Sequence, residues 1–250
     1  MTVDLRLGDC LEVMRSMPDK SVDAIITDLP YGTTACSWDS VIPFEPMWEQ
    51  VKRMCKGAFV TTASQPFTSR LVCSNLGDFK YEWVFEKSKA TGYAMSKIRP
   101  MKAHENIIVF YGAEYHPQME IGKPYKQPRK KQNYDNTMNG AFKIRQKDYV
   151  FQDNEGVRYP RSVIKFRNSY YDDGKQMHPT QKPVALYEYL VRTYTNEGDT
   201  VLDITMGSGT TGVACINTNR NFIGIDNEPK YYEIAEKRIH DAQQQMRLPI

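Results

Sequence analysis

The sequence predicts an α/β fold built on a mostly parallel twisted sheet with helices on both faces. Two observations carry that expectation. Short apolar runs of strand length alternate with stretches of helical period, which is the rhythm of β-α-β units. Two of the runs end directly in proline- or glycine-bearing turns, where open parallel sheets place their ligands. A third observation is an interruption. From about Gly112 to Gly174 the rhythm stops, and Lys, Arg, Gln, Asn, Tyr and Pro dominate. That stretch is too long for an ordinary connection inside a compact domain and reads as an insertion.

The elements follow in order. Val22 to Thr27 is a buried strand ending at Asp28. Phe44 to Cys55 has helical spacing, and Gly57 to Thr61 is a second strand. Pro66 to Ser74 suits a helix with proline in its first turn. Tyr81 to Phe85 and Asn106 to Tyr111 are two further strands. The rhythm resumes at Pro183, where Leu186, Tyr189, Leu190 and Tyr194 fall on one face of a helix running to Tyr194. Thr200 to Asp203 is a short strand and Gly207-Ser208-Gly209 a tight turn. Thr210 to Asn217 is a helix, Asn221 to Asp226 a strand, and Pro229 to Gln245 a last helix with a polar, fraying end. The domain organisation expected is therefore one α/β domain from residues 1–112 and 175–250, interrupted by 113–174.

The 250 residues suffice for one large domain with an insertion. No apolar run approaches the roughly 18 residues of a membrane span. Met1-Thr2-Val3-Asp4 carries an acid where a secretory signal would carry a basic and then an apolar stretch, so a cytoplasmic protein is expected. The five cysteines, Cys10, Cys36, Cys55, Cys73 and Cys215, form no Cys-x-x-Cys pair. They argue against a disulfide framework or a zinc site, and no metal is expected.

Charge is unevenly spread. Lys123, Lys126, Arg129, Lys130, Lys131, Lys143, Arg145 and Lys147 face one acid, Asp135. This stretch carries +7 in a chain of net +3, leaving −4 elsewhere. Tyr125, Tyr134, Phe142 and Tyr149 are interleaved with it. Cations laced with aromatic rings suit a polyanion with stackable bases, although a solvated surface loop would have similar composition.

Two loops carry the chemistry. In Val201-Leu202-Asp203-Ile204-Thr205-Met206-Gly207-Ser208-Gly209-Thr210-Thr211 a strand enters a glycine turn and a helix begins at once. The glycines let backbone approach a ligand, and the helix start offers unpaired N–H groups. Roughly 20 residues on, a second strand ends in Asp226, where an acid binds ribose hydroxyls in nucleotide-type folds. No Gly-Lys-Ser/Thr follows the turn, so a phosphate loop is excluded. The other loop is Asp28-Leu29-Pro30-Tyr31-Gly32. Pro30 stiffens it and removes a donor, leaving carbonyls free to face a cleft. A carboxylate, a carbonyl and an aromatic face would grip a planar group bearing an NH₂. A plain turn with Tyr31 packed in the core is the alternative.

Asp28-Leu29-Pro30-Tyr31 resembles the Asp/Asn/Ser-Pro-Pro-Tyr/Phe motif of amino-directed DNA methyltransferases. Asp203 to Thr211 resembles their Asp-Pro-Phe-x-Gly-Ser-Gly-Thr-Thr cofactor motif, and His178-Pro179-Thr180-Gln181-Lys182-Pro183 their His-Pro-x-Gln-Lys-Pro segment. Gly8-Asp9-Cys10 and Val22-Asp23 are similar to the family's start. Catalytic motif first and cofactor glycines last is the order of the permuted beta group. The resemblance implies a Rossmann-like methyltransferase fold, S-adenosylmethionine as cofactor and double-stranded DNA as substrate. It implies that residues 113–174 read the target, with Lys126, Arg129, Lys130, Lys131, Lys143 and Arg145 on DNA. It also implies a bacterial or phage-encoded protein, a role in restriction-modification, and a homodimer like many relatives.

Residue roles are implied in the same way. Asp28, Leu29, Pro30 and Tyr31 would be catalytic, with Asp28 also beside the cofactor. Asp9 and Cys10 would lie near the cofactor's adenine and Asp226 at its ribose. Asp203 and the turn Gly207, Ser208, Gly209 and Thr210 would surround its methionine part, with Thr180 and Lys182 reaching its carboxylate. Methyl transfer needs no covalent enzyme intermediate, so Cys10 and Cys36 are not expected to be nucleophiles. Trp38 and Asp39 would either touch DNA or cap the core. The chain departs from the pattern at Leu29 and at Ile204, each replacing a proline; neither change removes a reacting group. Asp at the first motif position is similar to the adenine-N6 group, whereas the cytosine-N4 group more often has Ser. Cytosine-N4 methylation, methylation of RNA or a protein glutamine, and a non-catalytic DNA-binding relative are the alternatives.

Overall fold

Ala24-Ile25-Ile26-Thr27 has no exposed residue, and it forms a strand near the middle of the sheet. In this computed structural model the described residues are 1–34, 36, 39–112, 114–125, 155–167 and 181–247. Their elements are β1 (Val3–Leu7), α1 (Cys10–Ser16), β2 (Ala24–Thr27), α2 (Phe44–Met54), β3 (Phe59–Ala63), α3 (Phe67–Ser74), β4 (Phe79–Thr91) and β5 (Lys102–Phe110). There follow β6 (Glu120–Ile121), β7 (Val157–Arg158), β8 (Val163–Phe166), α4 (Val184–Tyr194), β9 (Thr200–Asp203), α5 (Thr210–Asn217), β10 (Asn221–Asp226) and α6 (Pro229–Arg247).

Among the described residues the main sheet has eight strands in the order β1-β10-β9-β2-β3-β5-β4-β8. The pairs β1/β10, β10/β9, β9/β2, β2/β3 and β4/β8 are parallel, and β5 runs antiparallel to both its neighbours. β4 and β5 are joined by residues 92–101, too short a connection for a parallel crossover, and they pair antiparallel. The sheet is thus the mostly parallel Rossmann-like arrangement that the sequence predicts.

Side chains alternate across it. Ala24 and Ile26 of β2 join a core with Val60, Val109, Leu186, Leu190, Cys215, Phe222 and Ile239, under α4, α5 and α6. Ile25 enters the opposite core with Phe59, Ile108, Met14, Met47, Val51 and Phe67, under α1, α2 and α3. Period two in the strands assigns the helices to both faces.

β1 and α1 are absent from the sequence reading. β1 is an edge strand without a buried residue, and α1 has only seven residues, so neither leaves a strong pattern. β4 and β5 outrun their predicted bounds because the added residues are mostly polar and none of them is fully buried. The insertion expected at 113–174 also contains β8, which pairs with β4 and buries only Ile164. The separate compact unit runs from Pro117 to Pro160. Its described part holds the antiparallel pair β6/β7, with the Arg158 guanidinium 5.3 Å from the Tyr125 ring centroid. No helix among the described residues is long and apolar enough to cross a membrane.

Candidate active site

Neighbouring β2 and β9 pair Ala24 with Val201 and Ile25 with Leu202, so both carboxyl ends reach the same edge. The chain leaves β9 through α5 towards β10 on one side and leaves β2 through α2 towards β3 on the other. This is where connections diverge and a crevice opens. Threonines tie the two loops together. The Thr27 hydroxyl donates to Asp203 Oδ1 at 2.7 Å across 176 positions, and the Thr205 hydroxyl donates to the Asp28 carbonyl at 3.1 Å. The Thr205 N–H also donates to Asp203 Oδ1, and the Thr211 hydroxyl to Oδ2. Burial raises the Asp203 carboxyl to about 6 in spite of these donors.

On the β2 side, Asp28 is the hub. Lys182 Nζ lies 2.6 Å from Oδ2, and the Tyr31 hydroxyl donates to Oδ1 at 2.9 Å. The Thr62 hydroxyl, from β3, donates to Oδ1 as well. An ionised carboxylate offers about four acceptor positions, so three protein donors leave about one open. Lys182 Nζ is also 3.3 Å from Glu105 Oε2, and Lys87 pairs with Oε1 of the same carboxylate. The result is an alternating row, Asp28–Lys182–Glu105–Lys87, with every member less than a quarter exposed. Burial alone would lower the Lys182 ammonium, but Asp28 and Glu105 outweigh it and raise it, so the cation is held. Burial would raise Glu105, but Lys182 and Lys87 keep it low. In the low dielectric of a cleft such alternation is what permits four charges to coexist.

Tyr31 stacks on Phe67 with centroids 5.2 Å apart and 26° between planes. Among the described residues the Leu29 carbonyl has no hydrogen-bond partner, while its side chain is buried. Asp39 gathers the next loop by accepting the N–H groups of Gly32, Thr33 and Thr34 at 2.8, 2.9 and 2.6 Å. Burial would raise its carboxyl, but the Thr34 hydroxyl and these N–H groups bring it below the usual range. Gly32 sits at φ 66°, and a Cβ there would approach Val41 to 2.8 Å, so only glycine fits.

On the β9 side, Gly207 donates its N–H to Asp226 Oδ2 at 2.8 Å, and Glu228 donates to Oδ1 at 2.9 Å. Gly209 has φ 78°, and a Cβ would lie 2.9 Å from that of Ala235 in α6. Arg238, also of α6, donates to the Ser208 carbonyl at 2.6 Å. Asp9 caps α1 by accepting the Glu12 N–H at 3.1 Å. Burial and then Asp9 push the Cys10 thiol up to about 12, which keeps it neutral and unreactive. A single cleft of about 770 Å³ joins the two sides, lined by Asp9, Cys10, Asp28, Tyr31, Lys182 and Asp226 among others.

This geometry has counterparts. The sequence profile of the DNA methylase family matches residues 22–237. The chain belongs to the DNA methylase family. It is 29% identical to the type II methyltransferase M.HpaI of Haemophilus parainfluenzae over 95% of this chain and 74% of that one. It is 30% identical to the DNA adenine methyltransferase YhdJ of Escherichia coli K12, over 94% and 82%. The crystal structure of the M1.HpyAVI–SAM complex aligns with a TM-score of 0.60 and 25% identity, covering 95% of this chain and all of that one. PvuII DNA methyltransferase, cytosine-N4-specific, shares the fold at a TM-score of 0.63 and 18% identity. This chain is thus an S-adenosylmethionine-dependent amino-DNA methyltransferase of the beta type, acting on the N6 of adenine or the N4 of cytosine in DNA.

The methyltransferase gathers most of its predicted site residues around one cleft. Asp9, Cys10, Asp28, Leu29, Pro30, Tyr31, Lys182, Asp203, Gly207, Ser208, Thr210 and Asp226 all line it, and Gly209 completes the turn. The residues fit the cofactor. No atom would crowd a Cβ at Gly207, leaving its backbone approachable, and an acid stands at the far end beside Asn227. Lys182 differs from expectation, since its ammonium lies between Asp28 and Glu105. Asp203 likewise holds threonines together. Thr180, Trp38, Lys126, Arg129, Lys130, Lys131, Lys143 and Arg145 lie outside the described residues. Among the described residues no cluster of His, Cys, Asp or Glu is arranged to hold a metal ion.

Sequence reasoning missed Thr62, Glu105, Lys87, Tyr187 and Arg238. Glu105 left one faint signal, an acid at the mouth of the apolar run Ile107 to Phe110. Tyr187 lies within the predicted helix but outside the face formed by Leu186, Tyr189, Leu190 and Tyr194. Its hydroxyl is buried in the cleft wall and has no hydrogen-bond partner among the described residues.

Proposed function

We propose that this methyltransferase modifies adenine at N6 within a specific DNA sequence. The supporting observation is Asp28, a carboxylate with about one acceptor position left open, beside the Leu29 carbonyl, which has no partner among the described residues. The similarity to a DNA adenine methyltransferase over most of both chains supports the same choice.

The target amino group is paired and stacked in the duplex, so the nucleotide must turn out into the cleft. Tyr31 stacks on the base. The Asp28 carboxylate and the Leu29 carbonyl each accept one N–H of the amino group, which orients its lone pair towards the cofactor. S-adenosylmethionine supplies an electrophilic methyl group on a sulfonium. Lys182, 2.6 Å from Oδ2, fixes the Asp28 carboxylate in place, so that acceptance requires no reorganisation. Asp226 binds the ribose hydroxyls, and the Gly207–Thr210 turn receives the methionine part. Residues 113–174 read the sequence, with Lys126, Arg129, Lys130, Lys131, Lys143 and Arg145 on phosphates or bases.

The test is methylation of unmodified genomic DNA with labelled cofactor, followed by digestion to nucleosides. N6-methyladenine is expected. N4-methylcytosine would overturn the choice of base, and no labelled nucleoside would overturn the activity. Asp28→Ala should abolish transfer while the cofactor still binds; retained turnover would remove Asp28 from its role.

A further inference from the structure

The β4–β5 hairpin leaves the sheet at the active-site edge. β4 runs in the same direction as β2, because both neighbours of β5 oppose it, so Thr91 and Asp28 lie at the same edge. Phe85, Lys87, Thr91 and Glu105 of the hairpin line the cleft itself. The last contact with β3 is Ala63 with Asn106, and the last with β8 is Lys87 with Phe166. From Ser88 to His104 the hairpin therefore has no neighbouring strand among the described residues. Lys102, paired with Thr91, stands four residues past Asn106, on the order of 13 Å at the rise of a strand.

The composition of this projection is unusual for a solvated loop. Thr91 to His104 are all exposed, yet the tip carries Tyr93 at 80% and Ile98 at 77% exposure. Between Glu86 and Glu105 there are five cations, Lys87, Lys89, Lys97, Arg99 and Lys102, and no acid. Lys87 pairs with Glu105 and Lys102 donates to the Ser64 hydroxyl at 2.9 Å. Lys89, Lys97 and Arg99 form no ion pair among the described residues. The tip also holds its own shape. Gly92 takes φ 87°, and its carbonyl accepts the Met95 N–H at 3.0 Å, with Ile98 N–H to Met95 carbonyl at 2.9 Å.

We propose that this tip is a DNA-contacting element separate from the insertion, entering the duplex beside the displaced nucleotide. Tyr93 and Ile98 take the stacking that the turned-out base gives up, and Lys97 and Arg99 hold the flanking phosphates. The inference rests on base displacement as described above. Its chemistry is that of proteins that place apolar wedges between base steps, and the free cations supply the phosphate attraction such a wedge needs. Its position follows from topology, since a projection from the cleft wall meets whatever duplex offers a base to that cleft.

The experiment uses the full chain and a duplex bearing the mapped methylation site, once normally paired and once with an abasic position opposite the target. Tyr93→Ala/Ile98→Ala should slow methyl transfer to the paired duplex by about 10- to 100-fold. The abasic partner, which lowers the cost of displacement, should restore the rate to within about threefold of wild type. Lys97→Ala/Arg99→Ala should reduce the slope of log affinity against log salt by about 1 to 2. Equal losses on both duplexes, unchanged rates, or an unchanged salt slope would overturn the proposal. A dimer turning to monomer in sedimentation would overturn it too, assigning the tip to a second copy. Failure of the wild type to methylate any DNA would instead overturn the activity.

Discussion

Lys182 Nζ sits 2.6 Å from Asp28 Oδ2, although 154 positions separate the two residues. The ammonium is shared with Glu105, so it stands as a cation between two carboxylates. Loss of a cation from such a place leaves two like charges facing each other in low dielectric, which is costlier than never having charged the site.

Lys182→Met should lower the methyl-transfer rate by about 100-fold or more, the scale for removing a preorganised electrostatic partner. Glu105 should take up its proton at a higher pH than in the wild type, because it loses the strongest charge that keeps it low, and carboxyl titration followed by NMR checks this. Lys182→Arg should recover part of the rate. A cofactor titration checks that binding changes by less than about threefold; a large loss there with a normal rate at saturation would reassign Lys182 to the cofactor.

Thr27→Val removes the hydroxyl that joins β2 to Asp203. Asp203 keeps its Thr211 and Thr205 donors. The expected cost is about 1–2 kcal/mol, or roughly 2–8 °C in melting temperature for a chain of this size. Differential scanning calorimetry measures it, and weaker cofactor binding should accompany it because the two loops share that brace.

Asp39→Ala should release Gly32, Thr33 and Thr34, seen as faster amide exchange at those three positions. The pH dependence has a definite sign. The folded-state carboxyl is lowered, so its contribution to stability is complete above the ordinary carboxylate range. It is lost as pH falls through the lowered folded value. The stability gap between wild type and variant, measured by denaturation at several pH values, should therefore narrow on acidification.

Tyr187→Phe should act oppositely on stability and on binding. The hydroxyl is buried without a partner among the described residues, which ordinarily costs free energy. Removing it should raise the melting temperature of the free protein by about 2–4 °C per kcal/mol regained. Cofactor or DNA binding should weaken several-fold if the hydroxyl finds its partner there. A melting temperature that falls would show the hydroxyl already satisfied.

Much of the fold was legible because β2, β3, β9 and β10 are short apolar runs that need burial on both faces. β1, α1 and β8 were not, since each is short or at an edge and buries few side chains. In the site, Asp28, Tyr31, Gly207, Gly209 and Asp226 were readable because their loops need those residue types locally. Glu105 and Lys87 were not, because their meaning depends on a partner far along the chain.

Sequence alone determined the family, the cofactor class and the two loops, since a strand end followed by a proline or glycine turn is set by local backbone chemistry. Tertiary structure alone decided the partners of each charge. It set Lys182 between Asp28 and Glu105, assigned Asp203 to bracing threonines, turned Asp39 inward, and raised Tyr93 and Ile98 at the cleft edge. Electrostatic pairing in a low-dielectric crevice depends on distances of a few ångströms, and these exist only once β2, β5 and the segment before α4 are folded against one another.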